Sequence, residues 1–216
     1  MPRALRVVLT GGPAAGKTAV AEVLRRQLKD ELVVVPEAAS LLFSGGFPRP
    51  SSVAGRRLVQ KAIFSVQRDL EEIYSLTHPR TPHILDRGSL DGGAYWPGGL
   101  ERFLGAMGTT IESEYRRYDA VIFLETSALG EDTYSTENPQ RTESPAQARK
   151  LDARLRDVWA GHARFTTVPH QTRFYEKVAA VLIALERELN PPVSRRRQMA
   201  RTSTTAKSPG RRRGAK

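Results

Sequence analysis

The run Gly11-Gly12-Pro13-Ala14-Ala15-Gly16-Lys17-Thr18 fills the pattern G-x-x-x-x-G-K-[ST] and constrains this chain more than any other segment. A triphosphate has to be wrapped by backbone N–H groups, and glycine lets the backbone come close with no Cβ in the way. Gly11 and Gly16 take that role. Lys17 would reach the β- and γ-phosphates as a point charge, and Thr18 would offer its hydroxyl to Mg²⁺. The helix opening here would turn its positive end toward the anion. Pro13 has no N–H and must sit where no donor is needed. All eight residues, Gly11 to Thr18, form the expected nucleotide cradle.

The flanks agree with that reading. Leu5-Arg6-Val7-Val8-Leu9-Thr10 is a short, mostly apolar, β-branched run suited to a buried strand. Beyond the loop, Val20, Val23, Leu24 and Leu28 recur at helical spacing, with Glu22, Arg25 and Arg26 on the opposite face. A strand, a glycine-rich turn and a helix are the context the pattern requires.

Composition narrows the class. At 216 residues and 39% hydrophobic content the chain can bury one sizeable core. Its net charge of +11 suggests a nucleic-acid binder until it is partitioned. Nine of the 34 Lys and Arg residues follow Leu189 and none of the 23 acidic ones does, so 25 basic residues face 23 acidic ones in the body. Residues 1–189 therefore read as the nucleotide-binding domain, and 190–216 as a disordered basic tail with almost nothing apolar to dock. The tail's expected state is a solvated extension. Its Arg195-Arg196-Arg197 and Arg211-Arg212-Arg213 runs are the places where nucleic acid, anionic lipid or the bound nucleotide would be met. With no cysteine there is no disulfide and no thiol nucleophile, and the four histidines lack metal-ligand spacing. No apolar run approaches the roughly 18 residues that span a bilayer, and Met1-Pro2-Arg3 leads into the first strand without a signal pattern. The expectation is a soluble, cytoplasmic protein.

Further along, Leu32 to Val35, His83 to Leu85, Ala120 to Leu124 and Phe165 to Val168 read as strands. Pro36-Glu37 stops the second strand, and a Gly- and Pro-bearing loop then leads to Ser51-Ser52 as an N-cap. A helix over about 53–77 follows, with Leu58, Ala62, Ile63, Val66, Leu70, Ile73 and Tyr74 as its apolar face. Short helices are expected near 99–107 and 110–116. Ser144-Pro145-Ala146-Gln147 is a capping box with Pro at the first helical position, and a last helix spans about 171–189. Continuously apolar strands alternating with helices imply an α/β fold, a parallel sheet covered on both faces.

Ligands in such sheets bind outside the carboxyl ends of the strands. That rule selects Glu37 after the second strand, Asp86-Arg87 after the third and Glu125 after the fourth. Asp86 has the position of a second Mg²⁺-organising carboxylate. Glu37 would accept the proton of an attacking hydroxyl, or else cap the following helix. The polar segment 130–144 is placed to close over the phosphates, with Arg141 bringing a guanidinium to the charge that develops in transfer. Gln67 either faces an acceptor substrate or is solvated, and Tyr95-Trp96-Pro97 reads as packing sooner than pocket floor.

Together these blocks resemble a known family. The loop at 11–18, Val35-Pro36-Glu37-Ala38-Ala39, Gln67-Arg68-Asp69-Leu70-Glu71, Asp86-Arg87-Gly88-Ser89, Asn138-Pro139-Gln140-Arg141-Thr142-Glu143 and the stretch 170–178 are similar to an AAA-type P-loop domain. That domain is shared by the nicotinamide-riboside kinase part of bifunctional NAD-biosynthesis regulators and by the TRPL translocation defect proteins. The likeness covers about residues 4–188 and brings the chain close to thymidylate and deoxynucleoside kinases. It implies a three-layer P-loop kinase-like domain with a five-stranded sheet of order 2-3-1-4-5 and a lid, ATP or GTP with Mg²⁺, and a nucleoside-like acceptor. In it Glu37 matches the general base, Arg87 the phosphate-clamping arginine and Arg141 the lid arginine. Nothing in the chain matches the regulators' adenylyltransferase and DNA-binding parts or the translocation proteins' lipid module, so neither nicotinamide riboside nor a lipid role carries over.

Three functional readings follow from the sequence. The first is a phosphotransferase moving the γ-phosphoryl of ATP to a small hydroxyl-bearing acceptor. The second is an ATP- or GTP-binding switch with no acceptor, and the third an ATPase linked to nucleic acid through the tail. The lack of an Asn-Lys-x-Asp signature favours ATP over GTP.

Overall fold

Two hydrophobic layers pack on opposite faces of one parallel sheet in the computed structural model, which describes residues 3–129 and 144–190. The strands are β1 (Arg6–Gly11), β2 (Val33–Val35), β3 (His83–Asp86), β4 (Ala120–Leu124) and β5 (Phe165–Val168). The helices are α1 (Lys17–Gln27), α2 (Ala38–Ser44), α3 (Val53–Thr77), α4 (Asp91–Tyr95), α5 (Leu100–Met107), α6 (Ile111–Tyr115), α7 (Pro145–Trp159) and α8 (Phe174–Leu189). The sheet order is β2-β3-β1-β4-β5 with all pairings parallel, as the family resemblance implies.

Alternation along the strands decides which side each residue covers. Val7, Leu9, Val34, Ile84 and Ile122 point to the layer closed by Val20 and Leu24 of α1 and Val181 and Leu185 of α8. Val8, Val35, Leu85, Val121 and Phe123 point to the other layer, closed by Leu155, Val158 and Trp159 of α7 and Leu90 and Ala94 beside α4. A satellite cluster of Phe64, Trp96 and Phe103 ties α3 to α5, so Trp96 is packing, as the sequence suggested.

Local signals fix the helix ends. The Ser52 hydroxyl accepts from Gly55 N at 3.1 Å and opens α3. Ser144 and Gln147 form the expected reciprocal capping box, which satisfies two N–H groups at the start of α7. The short helix α2 occupies a stretch where the sequence suggested loop, and the short helix α4 one to which it assigned no element. Each is a turn or two long, too short for a helical period to show.

One helix face differs from the expectation. On α3 the buried residues are Val59, Phe64, Gln67 and Glu71, while Leu58 and Ile73 are 66% and 53% exposed. The helix is rotated away from its most apolar stripe because Glu71 accepts from Gln67 Nε2, Arg117 Nη2 and Tyr118 Oη in the interior. Satisfying a buried carboxylate from three sides outweighs burying two aliphatic side chains.

Candidate functional site

The loop between β1 and α1 is shaped by backbone conformations that favour glycine. Gly11 has φ 144°, and a Cβ there would lie 2.0 Å from the Leu124 carbonyl oxygen of the neighbouring strand. Gly16, at φ 85°, is the left-handed residue from which α1 departs. Ala14 also has positive φ, at 61°. Lys17 is buried in the first turn of α1, and its ammonium donates to the carbonyls of Gly11 at 2.7 Å and Gly12 at 2.8 Å. The neighbouring Thr18 is exposed on that turn.

Two strand ends supply the rest. Register sets Asp86, the last residue of β3, beside Leu9 of β1, two residues before the loop begins. Arg87 follows with φ 74°, a left-handed conformation that costs a non-glycine residue roughly 1–2 kcal/mol. Its surroundings over-determine it. Arg87 N donates to Leu9 O at 3.0 Å, Arg87 O accepts from Gln67 Nε2 at 3.2 Å, Nη1 meets Asp91 Oδ2 at 3.0 Å, and Nε is paired with Glu37 Oε1. Glu37 stands at the N-cap position of α2 without capping it. Its second oxygen accepts from Ser40 Oγ at 2.5 Å.

Charge is crowded here. Burial and the nearby Arg87 lower the Lys17 ammonium to about 8, against the pull of Asp86, Glu37 and Asp91. Burial and Glu37 raise the Asp86 carboxyl to about 6, although Lys17 and Arg87 oppose them. Burial would raise Glu37 too, but Arg87, Ser40 and Lys17 outweigh it and hold that carboxyl below the usual range. Despite burial, Tyr95, Glu37, Asp91 and Asp86 keep the Arg87 guanidinium firmly charged.

Asp86 Oδ1 is buried and has no hydrogen-bond partner among the described residues. A desolvated oxygen of this kind is costly unless a cation or its water completes it. The donor set fits Mg²⁺, with Asp86 and the Thr18 hydroxyl as the residues that would hold the ion beside a triphosphate; bound there, it would neutralise phosphate charge.

A cavity of about 280 Å³, counting the space at its open mouth, adjoins the Glu37–Arg87 pair. Ala38, Ile63, Phe64 and Gly92 give it apolar walls, and Glu37, Arg87 and Asp91 give it polar ones.

Several residues behave otherwise than their position in the sequence suggested. Gln67 lines the cavity but is neither solvated nor free for a ligand, since its amide serves Ala38 N, Glu71 and Arg87 O. Glu125 is a brace that accepts from Arg156 Nη2 at 2.5 Å and His170 N at 3.0 Å. Arg141 and the segment around it lie outside the described residues.

Three buried groups escaped the sequence reading. Asp91 accepts from Thr10 Oγ1, Arg87 Nη1 and Trp159 Nε1 at 2.7–3.0 Å and so joins β1, the site and α7. Asp152 Oδ1 of α7 accepts from Gly12 N at 2.9 Å and Thr126 N at 3.1 Å. Lys177 of α8 donates to Ala15 O at 3.0 Å and Glu125 O at 3.1 Å. Asp91 sits four residues after Arg87, but nothing local marks it as a bridge between elements, nor Asp152 or Lys177 as loop supports.

Among solved structures, shikimate kinase from Aquifex aeolicus vf5 matches with 21% identity and a TM-score of 0.49, over 87% of this chain and 100% of its own. No curated protein matches the chain. A model of the AAA domain matches residues 6–177, from the first residue of β1 into α8 and well over half of the chain. With that span matched and its phosphate loop built between β1 and α1, the chain belongs to the AAA domain family.

Proposed function

We propose that this protein is a phosphotransferase that moves the γ-phosphoryl of ATP, or GTP in its place, to a small hydroxyl-bearing acceptor of nucleoside-like size. The observation carrying the reading is a cavity lined by Glu37 and Arg87 but not by Lys17, whose charge both of them influence; it supports separate, adjoining places for an acceptor and a triphosphate. In this scheme Lys17 and the loop Gly11 to Thr18 hold the triphosphate, and Arg87 stabilises the moving phosphoryl. Asp86 and Thr18 organise Mg²⁺. Glu37 orients the acceptor hydroxyl and takes its proton. A carboxylate with a lowered pKa is a weak base, but phosphoryl transfer depends more on positioning and charge than on basicity. Arg141 would add a second guanidinium from the loop before α7.

The extent of the unit belongs to the same proposal. The nucleotide-handling domain spans residues 1–189, ending with α8 at Leu189, and the basic segment 190–216 is left outside it.

One observation favours a switch without an acceptor. Glu37 is engaged on both oxygens, by Arg87 and by Ser40, and a base must first be released from such partners. A phosphate-transfer screen of the purified protein against nucleosides, nucleotides and ribosides separates the two. The transferase reading expects phosphorylated product from one compound class; slow hydrolysis with no product from any class would favour the switch.

A further inference from the structure

The exposed face of α3 is self-complementary, and the geometry points to its being the contact between two copies of this chain. Leu58 and Leu76 are 66% and 74% exposed, which is unusual for leucines on a helix whose other side is in the core. They stand eighteen positions apart, about five turns at 3.6 residues per turn, and so lie on one line of the helix. Between them the same line presents Lys61, Ser65, Asp69 and Glu72, all exposed. Glu72 has only a remote cation, Arg6 Nη2 at 3.8 Å, and its side chain is 69% exposed.

The order along that line is apolar, positive, small polar, negative, negative, apolar. A second copy laid antiparallel, with the two-fold axis level with Gln67, sets each residue against its complement to within one residue, about 1.5 Å. Leu58 meets Leu76 of the partner subunit, Lys61 meets Glu72 of the partner subunit, and Ser65 meets Asp69 of the partner subunit, each contact occurring twice as an isologous interface requires. Parallel pairing would put Lys61 on its own copy and Asp69 on its own copy, which like charges disfavour. Antiparallel helix dipoles also attract. A different protein would not need the line to read as its own complement, and that palindrome argues for a second copy. Ile73, at 53% exposure, borders the line and widens the apolar area.

Sedimentation equilibrium of the full chain with charge-reversal variants tests this. The wild type is expected to approach twice the chain mass with rising concentration. Lys61→Glu or Glu72→Lys alone sets like charges face to face and should weaken association at least about tenfold. The two together recreate the pair and should restore it. Within one chain these positions are about 16 Å apart at 1.5 Å per residue, so rescue can come only across the interface. Leu76→Lys, at the most exposed leucine, should dissociate the dimer equally, and far-UV circular dichroism checks that each variant is folded. A single-chain mass at every concentration would overturn the inference and leave the face to another partner or to solvent. A dimer indifferent to the single reversals and to Leu76→Lys, or a double reversal that stays dissociated, would overturn it as well.

Discussion

Asp86 is held in a state that the ligand-free protein does not favour. Its carboxyl titrates at about 6 when folded against an ordinary 3.8, so between those values the folded chain keeps a proton the unfolded chain has released. Stability from this group is complete below the unfolded value and is lost as pH rises through the folded one. At neutral pH the ionised side chain therefore costs on the order of 3 kcal/mol, at 1.36 kcal/mol per unit. Asp86→Asn should raise the thermal midpoint of the nucleotide-free protein at pH 7 by about 5 °C or more, with little gain near pH 4, and should abolish Mg²⁺-dependent turnover. Melting curves at the two pH values check the sign; a midpoint lowered at pH 7 would mean that Asp86 has partners and is not waiting for a cation. Lys17, Glu37, Asp86 and Arg87 were legible in the sequence because each follows a marked strand or fills a motif. Asp91 and the strained φ of Arg87 were not, since hydrogen bonds from Thr10, Gln67 and Trp159 arrive from elements far apart in the chain.

Elements hold the phosphate loop from behind. Through Asp152, α7 binds an N–H at the start of the loop and another beyond β4. Through Lys177, α8 binds the carbonyl of Ala15. Asp152→Ala leaves two buried N–H groups unpaired and is expected to cost about 2–4 kcal/mol in urea unfolding, together with weaker triphosphate binding. Asp152→Asn keeps an accepting oxygen and should recover most of both. Equal loss in the two variants would show that charge and not hydrogen bonding matters there. The strands and long helices were readable because burial imposes short apolar runs and capping residues announce helix ends. The rotation of α3 was not, because hydrophobic periodicity alone does not weigh a buried network around Glu71 against two aliphatic side chains.

For the whole molecule, charge is divided between body and extension. The body is nearly neutral and every residue of the proposed site precedes Asn190, so on that proposal the nine cations that follow are not needed to hold a triphosphate. Removing 191–216 should leave triphosphate affinity within about twofold by calorimetry; a loss that grows as salt is lowered would assign the tail a phosphate contact. No helix among the described residues is long and apolar enough to cross a membrane. The sheet order followed from the resemblance, and the carboxyl-end rule led to Glu37, Asp86 and Arg87, which the structure brings close to one another. What lay beyond the sequence was the cavity beside Glu37 and Arg87, which depends on where residues of α2, α3 and α4 meet. The central claim is that Glu37 serves the acceptor side and Lys17 the triphosphate side. It is tested most directly by comparing Glu37→Gln with the wild type in two assays, turnover on the acceptor identified by the screen and calorimetric affinity for the triphosphate. The account expects turnover to fall by about 100-fold or more while affinity stays within about twofold. Unchanged turnover, or a parallel collapse of triphosphate binding, would contradict it.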